Sequence, residues 1–287
     1  QLPEKVDLII MEDYSPMFLY NGLSDTLHDA RTRLLKPEGK FIPNIIIIKF
    51  ALVQYKQFYD DLDIWKNQNE IVYDINWEHT TELVFNQPYY VTTPVDSILS
   101  DEIQLSSIDL SNDSNFHFNF SNNLTITRPG TIHGLAGWWD CWFTPTQSFS
   151  NSPLEPINTW GQMFFPFRYL VKVKKGEKVF IHFQSFESKY SKTLDYLWKI
   201  EHSSISQEQN TFKANILPIS RLIKNNLESN PVQNKRGRIL RSVLNQMDEG
   251  DSWTKIAKSM TSEFPDRFST TDDALTYISP IIKSFIE

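Results

Sequence analysis

Apolar positions fall in short runs separated by polar clusters, and the first run, Val6-Asp7-Leu8-Ile9-Ile10-Met11, ends at Glu12-Asp13. An apolar, β-branched run of this length reads as a buried parallel strand. The C-terminal edge of such a strand is where open α/β sheets bind ligands. Leu23, Leu27, Ala30 and Leu34 follow at spacings of four, three and four, which predicts a helix with one apolar face, stopped by Lys36-Pro37-Glu38-Gly39. Residues 1–42 therefore read as strand, loop, helix and turn.

Past Pro43 the pattern changes. Strands are expected at 45–53, 81–85, 103–110, 115–120, 131–143, 164–173, 178–183, 194–201 and 210–216, divided by Asn, Ser, Pro and Gly clusters. Many short strands without long intervening helices imply an antiparallel β-barrel or sandwich, with Lys174-Lys175-Gly176-Glu177 as a hairpin turn. A helical excursion is expected at 60–76, and 203–209 is polar. A polar linker at 217–234 precedes a helical segment, 235–287. There Ile239, Leu240, Val243, Leu244 and Met247 line one helix ending at Gly250, and Ser252 caps a second carrying Trp253, Ile256, Ala257 and Met260. A third, from Thr271 through Phe285, should kink or break at Pro280. The expected class is mainly β with α.

At 287 residues, 40% of them hydrophobic, the chain can bury a large core. Its net charge of −7, with one basic cluster at Lys235, Arg236, Arg238 and Arg241, makes nucleic acid a poor partner. The single cysteine, Cys141, excludes an intramolecular disulfide and a Cys-rich zinc site and reads as a buried thiol. His28, His133 and His182 have no metal-ligand spacing, so structural histidines and no metal are expected. No apolar run approaches the ~20 residues of a membrane span, and Gln1-Leu2-Pro3-Glu4-Lys5 lacks signal-peptide grammar. A cytoplasmic protein is expected, and the abrupt start reads as truncation. Trp138, Trp139 and Trp142 fit barrel packing better than a carbohydrate platform.

Four motifs carry a resemblance: Glu12-Asp13-Tyr14-Ser15-Pro16-Met17-Phe18-Leu19-Tyr20-Asn21-Gly22 with the helix after it; Leu35-Lys36-Pro37-Glu38-Gly39-Lys40-Phe41-Ile42-Pro43; Ile132-His133-Gly134-Leu135-Ala136-Gly137-Trp138-Trp139; and Asn158-Thr159-Trp160-Gly161-Gln162. In this order they resemble the protein arginine methyltransferases: an acidic hairpin loop, the passage into a β-barrel, and the Thr-His-Trp loop. The resemblance implies that 1–42 is the C-terminal remnant of a Rossmann-like methyltransferase domain, 43–216 a substrate-binding and dimerisation barrel, and 235–287 a helical module, winged-helix-like or peptide-recognising. It implies Glu12 as a substrate carboxylate, with Tyr14, Tyr20, Thr159 and Trp160 around the acceptor. Two carboxylates suit a guanidinium, a planar fork of donors. The family's second carboxylate position is Asn21 here, and its loop histidine is Thr159.

The family's cofactor, S-adenosylmethionine, is held by a glycine-rich strand-to-helix turn. This chain has nine glycines, the first Gly22, and no Gly-x-Gly. The expectation is an S-adenosylmethionine-dependent methyltransferase in the full-length protein, with no cofactor in this fragment, which is inactive by itself. The expected partners are a protein or peptide substrate and a second copy of the chain, with Trp65, Ile71 and Tyr73 of the excursion in the place of the family's dimerisation arm. The alternatives are a degenerate, non-catalytic protein- or peptide-binding module and a carbohydrate-binding β module.

Overall fold

The computed structural model describes residues 3–63, 78–112, 117–187, 193–214, 227–228 and 230–286. Strand β1 (Val6–Ile10) pairs in parallel with β2 (Leu35–Ile42), and these two make a sheet of their own. Successive side chains alternate faces: Ile9 and Met11 pack against the main core, whereas Leu8 and Ile10 are 44% and 72% exposed. The strand is therefore not buried as its sequence predicts, because no second layer covers its outer face among the described residues. Helix α1 (Leu23–Asp29) runs into a π-helical turn, Ala30–Leu34, and buries Leu23 and Leu27. The expected stop at Lys36–Gly39 lies inside β2.

Beyond Pro43 the chain is mainly antiparallel β. One sheet takes the order β4 (Tyr89–Val91), β9 (Gln162–Val173), β7 (Gly130–Thr144), β3 (Ile45–Val53), β5 (Ile103–Asp109), with β8 (Gln147–Ser150) also on β7. The other runs β12 (Ile205–Asn210), β11 (Leu194–His202), β10 (Lys178–Glu187), β6 (Phe118–Thr125). Both contribute to one core, in which Phe50, Phe165, Phe183, Tyr196 and Trp198 meet mostly edge to face. The arrangement is barrel-like. The sheets are tied by the Ser100–Ile126 bridge, by Gln207, whose amide bonds both backbone groups of Tyr169, and by Trp198 Nε1 donating to the Pro166 carbonyl, 2.8 Å. Period two sends alternate residues of β3 and β7 to opposite faces: Phe50 and Trp139 enter the shared core, whereas Ala51 and Trp138 enter a second one under α2 (Lys56–Asp63) and α3 (Glu78–Phe85). Trp138 and Trp139 are thus packing residues with no exposed platform.

Three expectations fail locally. Residues 81–85 belong to helix α3: Thr81, Val84 and Phe85 are buried at i, i+3 and i+4, a helical spacing that outweighs their β propensity. The polar stretch 203–209 holds β12, whose inward residues Gln207 and Gln209 are buried amides, so no apolar alternation announces it. In place of a strand after residue 210 there is a 3₁₀ turn, Thr211–Ala214. Most of the excursion, including Trp65, Ile71 and Tyr73, lies outside the described residues, as do 217–226 and 229 of the expected linker.

Contacts divide the chain into Gln1–Ile216 and Leu217–Glu287. The second unit is built on α4 (Lys235–Asp248), α5 (Trp253–Glu263) and α6 (Thr271–Phe285). Asn234, Ser252 and Thr270 cap them through side-chain oxygens that accept from the third residue on. Val243, Ile256, Met260, Ala274 and Ile278 form its core. Pro280 does not interrupt α6: it lies on the exposed face, where water can serve the carbonyl that loses its donor. Among the described residues no helix is long and apolar enough to cross a membrane.

Candidate functional site

The loop between β1 and α1 is held by its own backbone and by the large sheet. Ser15 organises it: its carbonyl accepts from Phe18 N–H (2.8 Å), and its hydroxyl donates to the Leu19 carbonyl (2.7 Å). Phe18 has φ 66°, the left-handed region that costs a non-glycine residue about 1 kcal/mol. Its fully buried ring offsets that cost. From the sheet, Trp139 Nε1 donates to the Ser15 carbonyl (2.9 Å) and Asn151 Nδ2 to the Pro16 carbonyl (2.8 Å). Gly137 is required beneath the loop, since a Cβ there would lie 2.4 Å from the Phe50 ring and 2.8 Å from the Met17 sulfur.

Asn151 is fully buried. Its Oδ1 accepts from Trp139 N–H (2.8 Å), its Nδ2 also reaches the Gly161 carbonyl, and its own carbonyl accepts from Gln162 Nε2. Gln162 in turn accepts from Thr93 N–H, 2.7 Å. One buried amide thus fixes the acidic loop, β7 and the start of β9 together. Sequence reading passes over Asn151 and Gln162, because loop polar residues carry no periodicity to mark them as buried.

At the loop's first end, Glu12 and Asp13 are exposed, and neither has an ion-pair partner among the described residues. Beside Glu12, Tyr14 is half-buried, its hydroxyl donates to the Met11 carbonyl, and its ring lies 5.2 Å from Trp139 and 6.0 Å from Trp160. Phe149 packs 5.4 Å from Trp160, edge to face. Burial pushes the Tyr14 phenol well above its usual range, and the neighbouring Cys141 and Glu12 charges add to it. Tyr14 and Trp160 thus pack together, and Glu12 lies close to Tyr14 with its carboxylate exposed. Thr159 is exposed, and its carbonyl accepts from the Tyr90 hydroxyl.

At the other end, Asn21 is committed to β11: its Oδ1 accepts from Leu194 N–H at 2.7 Å. Tyr20, Asn21, His117 and Glu187 line a cavity of about 30 Å³, room for about one water. Glu187 Oε1 is buried there without a hydrogen-bond partner among the described residues. Burial and the Asp13 charge raise the Tyr20 phenol.

Two further sequence candidates, Cys141 and His133, are buried side chains. Cys141 is buried, and burial pushes its thiol up to about 12. The buried His133 ring bonds the Thr131 carbonyl (2.8 Å), and burial lowers its pKa. Among the described residues no group of three or more His, Cys, Asp or Glu could hold a metal ion.

A barrel-like pair of antiparallel sheets carries an acidic, aromatic loop rooted at the end of a parallel strand pair. The profile of the arginine methyltransferase oligomerization subdomain matches residues 46–206, more than half of the chain, and the chain belongs to that family. Protein arginine N-methyltransferase 1 of Chlamydomonas reinhardtii is 27% identical over 182 residues, covering 61% of this chain and 52% of the relative. The protein of the same name from Saccharomyces cerevisiae is 28% identical over 185 residues, covering 61% and 51%. The chain spans about half the length of the curated relatives it matches. Two solved structures share the fold: the Trypanosoma brucei PRMT1 enzyme-prozyme heterotetrameric complex with AdoHcy, at TM-score 0.64 and 22% identity over 73% of this chain and 69% of that one, and Arabidopsis thaliana protein arginine methyltransferase 10, at TM-score 0.60 and 20% identity over 73% and 71%.

Proposed function

We propose that this chain is the acceptor-binding and self-associating part of an S-adenosylmethionine-dependent protein methyltransferase, and that it transfers no methyl group by itself. The observation that carries the reading is the docked loop: Glu12 stands free in solvent while Ser15, Pro16 and Met17 are seated on the sheet beside Trp139 and Trp160. A carboxylate beside aromatic faces suits a guanidinium, which takes paired hydrogen bonds at its edge and stacks through its plane. In this reading Glu12 orients the acceptor, Tyr14 and Trp160 wall it, and Tyr20 and Thr159 border it.

Asn21 limits that chemistry. Its carbonyl oxygen already accepts from Leu194 N–H, and the remaining amide nitrogen is a donor that cannot receive a guanidinium N–H. Glu12 therefore works without a second carboxylate at position 21. This detail equally favours a second reading, a non-catalytic member of the family that binds a protein or peptide.

The residues present do not fit S-adenosylmethionine. The first glycine, Gly22, caps a seven-residue helix with φ 82°, and no glycine-rich turn links a strand to that helix. In this reading S-adenosylmethionine is held by residues other than those of this chain. The family's description as an oligomerization subdomain, and a structural relative solved as a heterotetramer, support self-association as a homodimer. The domain division 1–42, 43–216, linker 217–234 and helical 235–287 belongs to this proposal, as does a cytoplasmic setting.

Calorimetric titration of residues 1–287 with S-adenosylmethionine tests the reading. No heat of binding is expected, and tight stoichiometric binding would overturn it. Light scattering at high concentration should give a dimer's mass; a strictly monomeric mass counts against self-association.

A further inference from the structure

Beside Trp160 lies an open groove of about 580 Å³, walled by Pro94 and Val95 after β4 and by the segment from Ser152 to Asn158 before β9, with Gln162 at its floor. Its rim is apolar and exposed: Val95 is 58%, Leu154 57% and Ile157 86% solvent-accessible. Single exposed apolar residues need no explanation, but three around one concavity form a patch of the kind that binds a partner. The walls are pre-formed. Pro94, Pro153 and Pro156 fix backbone dihedrals; Glu155 N–H bonds the Ser152 carbonyl (3.1 Å), and Asn158 Nδ2 bonds the Ser150 carbonyl (2.9 Å). The floor is pinned through Gln162 to Thr93 and Asn151. A rigid apolar concavity loses little entropy when it is filled.

The groove also adjoins the acceptor patch. Asn158 and Gly161 line it and bracket Trp160, so one loop carries an acceptor wall and a groove wall. Among the described residues its lining holds one charged group, the Glu155 carboxylate, and no cation. Thr93 is buried in the lining with a hydroxyl that has no hydrogen-bond partner among the described residues.

We infer that this groove is a specificity pocket for the acceptor polypeptide: it takes an aliphatic side chain a few residues from the modified position, in an extended segment that is neutral or basic. The inference rests on the acceptor reading of the Glu12 loop for its register, but the groove's preference for an aliphatic over an acidic side chain does not. Burial of the side chain against Val95, Leu154 and Ile157 supplies affinity, and Glu155 repels an acidic residue at the same place.

The test is fluorescence anisotropy with residues 1–287 and fluorescein-labelled glycine-serine peptides. Each carries one central arginine and one leucine placed two to five positions to either side; counterparts carry aspartate for leucine, or glutamine for arginine. At the best spacing leucine should bind about tenfold tighter than aspartate, the order expected for a partly buried aliphatic side chain. Ile157→Asp, at an exposed position that leaves folding intact, should erase this preference, and Leu154→Asp should reduce it. Equal binding of the two peptides, no binding of either at millimolar concentration, or an unchanged preference in Ile157→Asp overturns the pocket. If glutamine replaces arginine without effect while the leucine preference persists, the acceptor reading fails and the pocket stands. The reverse pattern removes the pocket and keeps the acceptor.

Discussion

The parallel pair β1–β2 and the antiparallel sheets are made of similar apolar, β-branched sequence, yet they dispose of it differently. In β3, residues facing either way find a core: Ile48 and Phe50 in one, Ala51 and Val53 in the other, all buried. In β1 only one face does, and Leu8 and Ile10 project into solvent. Leaving such side chains uncovered forgoes up to about 2 kcal/mol each. Parallel sheets are normally covered on both faces; among the described residues β3 is covered on both and β1 on one. The acidic loop lies at the seam, rooted in β1 and seated on the barrel.

Mutations on the two sides should differ most in stability. Phe165→Ala, in the centre of the shared core, should cost about 3–5 kcal/mol in chemical denaturation. Asn151→Ala should cost about 2–3 kcal/mol, since it strands the Trp139 N–H and two carbonyls, and it should loosen the loop, seen as altered fluorescence of Trp139 and Trp160. Ile10→Ser, on the uncovered face, should change stability by no more than about 0.5 kcal/mol. A large loss there would mean that the outer face is covered within residues 1–287.

A smaller effect concerns pH. Burial lowers the His133 pKa below its usual 6.5, so the folded state holds the ring neutral while the unfolded chain takes up a proton. The stabilisation is therefore full above about pH 6.5 and is lost as pH falls through the folded pKa. The melting temperature should drop between pH 7.5 and 5, and His133→Gln should flatten that slope.

Legibility followed periodicity. Strands β3, β5, β7, β9, β10 and β11 and the three C-terminal helices could be read from the chain because their inward positions are apolar at spacings of two or of three to four. Strand β12 could not, because Gln207 and Gln209 are satisfied there as buried amides, and α3 was hidden by a β-branched composition. At the candidate site, the order of motifs singles out Glu12, Tyr14 and Trp160 as candidates, and their roles belong to the proposal. The bond from Asn21 to Leu194 spans 173 positions, and Asn151 joins segments 135 residues apart, so neither has a local signature.

The most direct test of the account is whether Glu12 alone holds an arginine side chain. Titration of a fluorescein-labelled glycine-arginine-glycine peptide with residues 1–287 should give saturable binding that Glu12→Gln weakens at least fivefold, with the melting temperature unchanged because Glu12 is exposed. Equal binding by the wild-type chain and Glu12→Gln would contradict it.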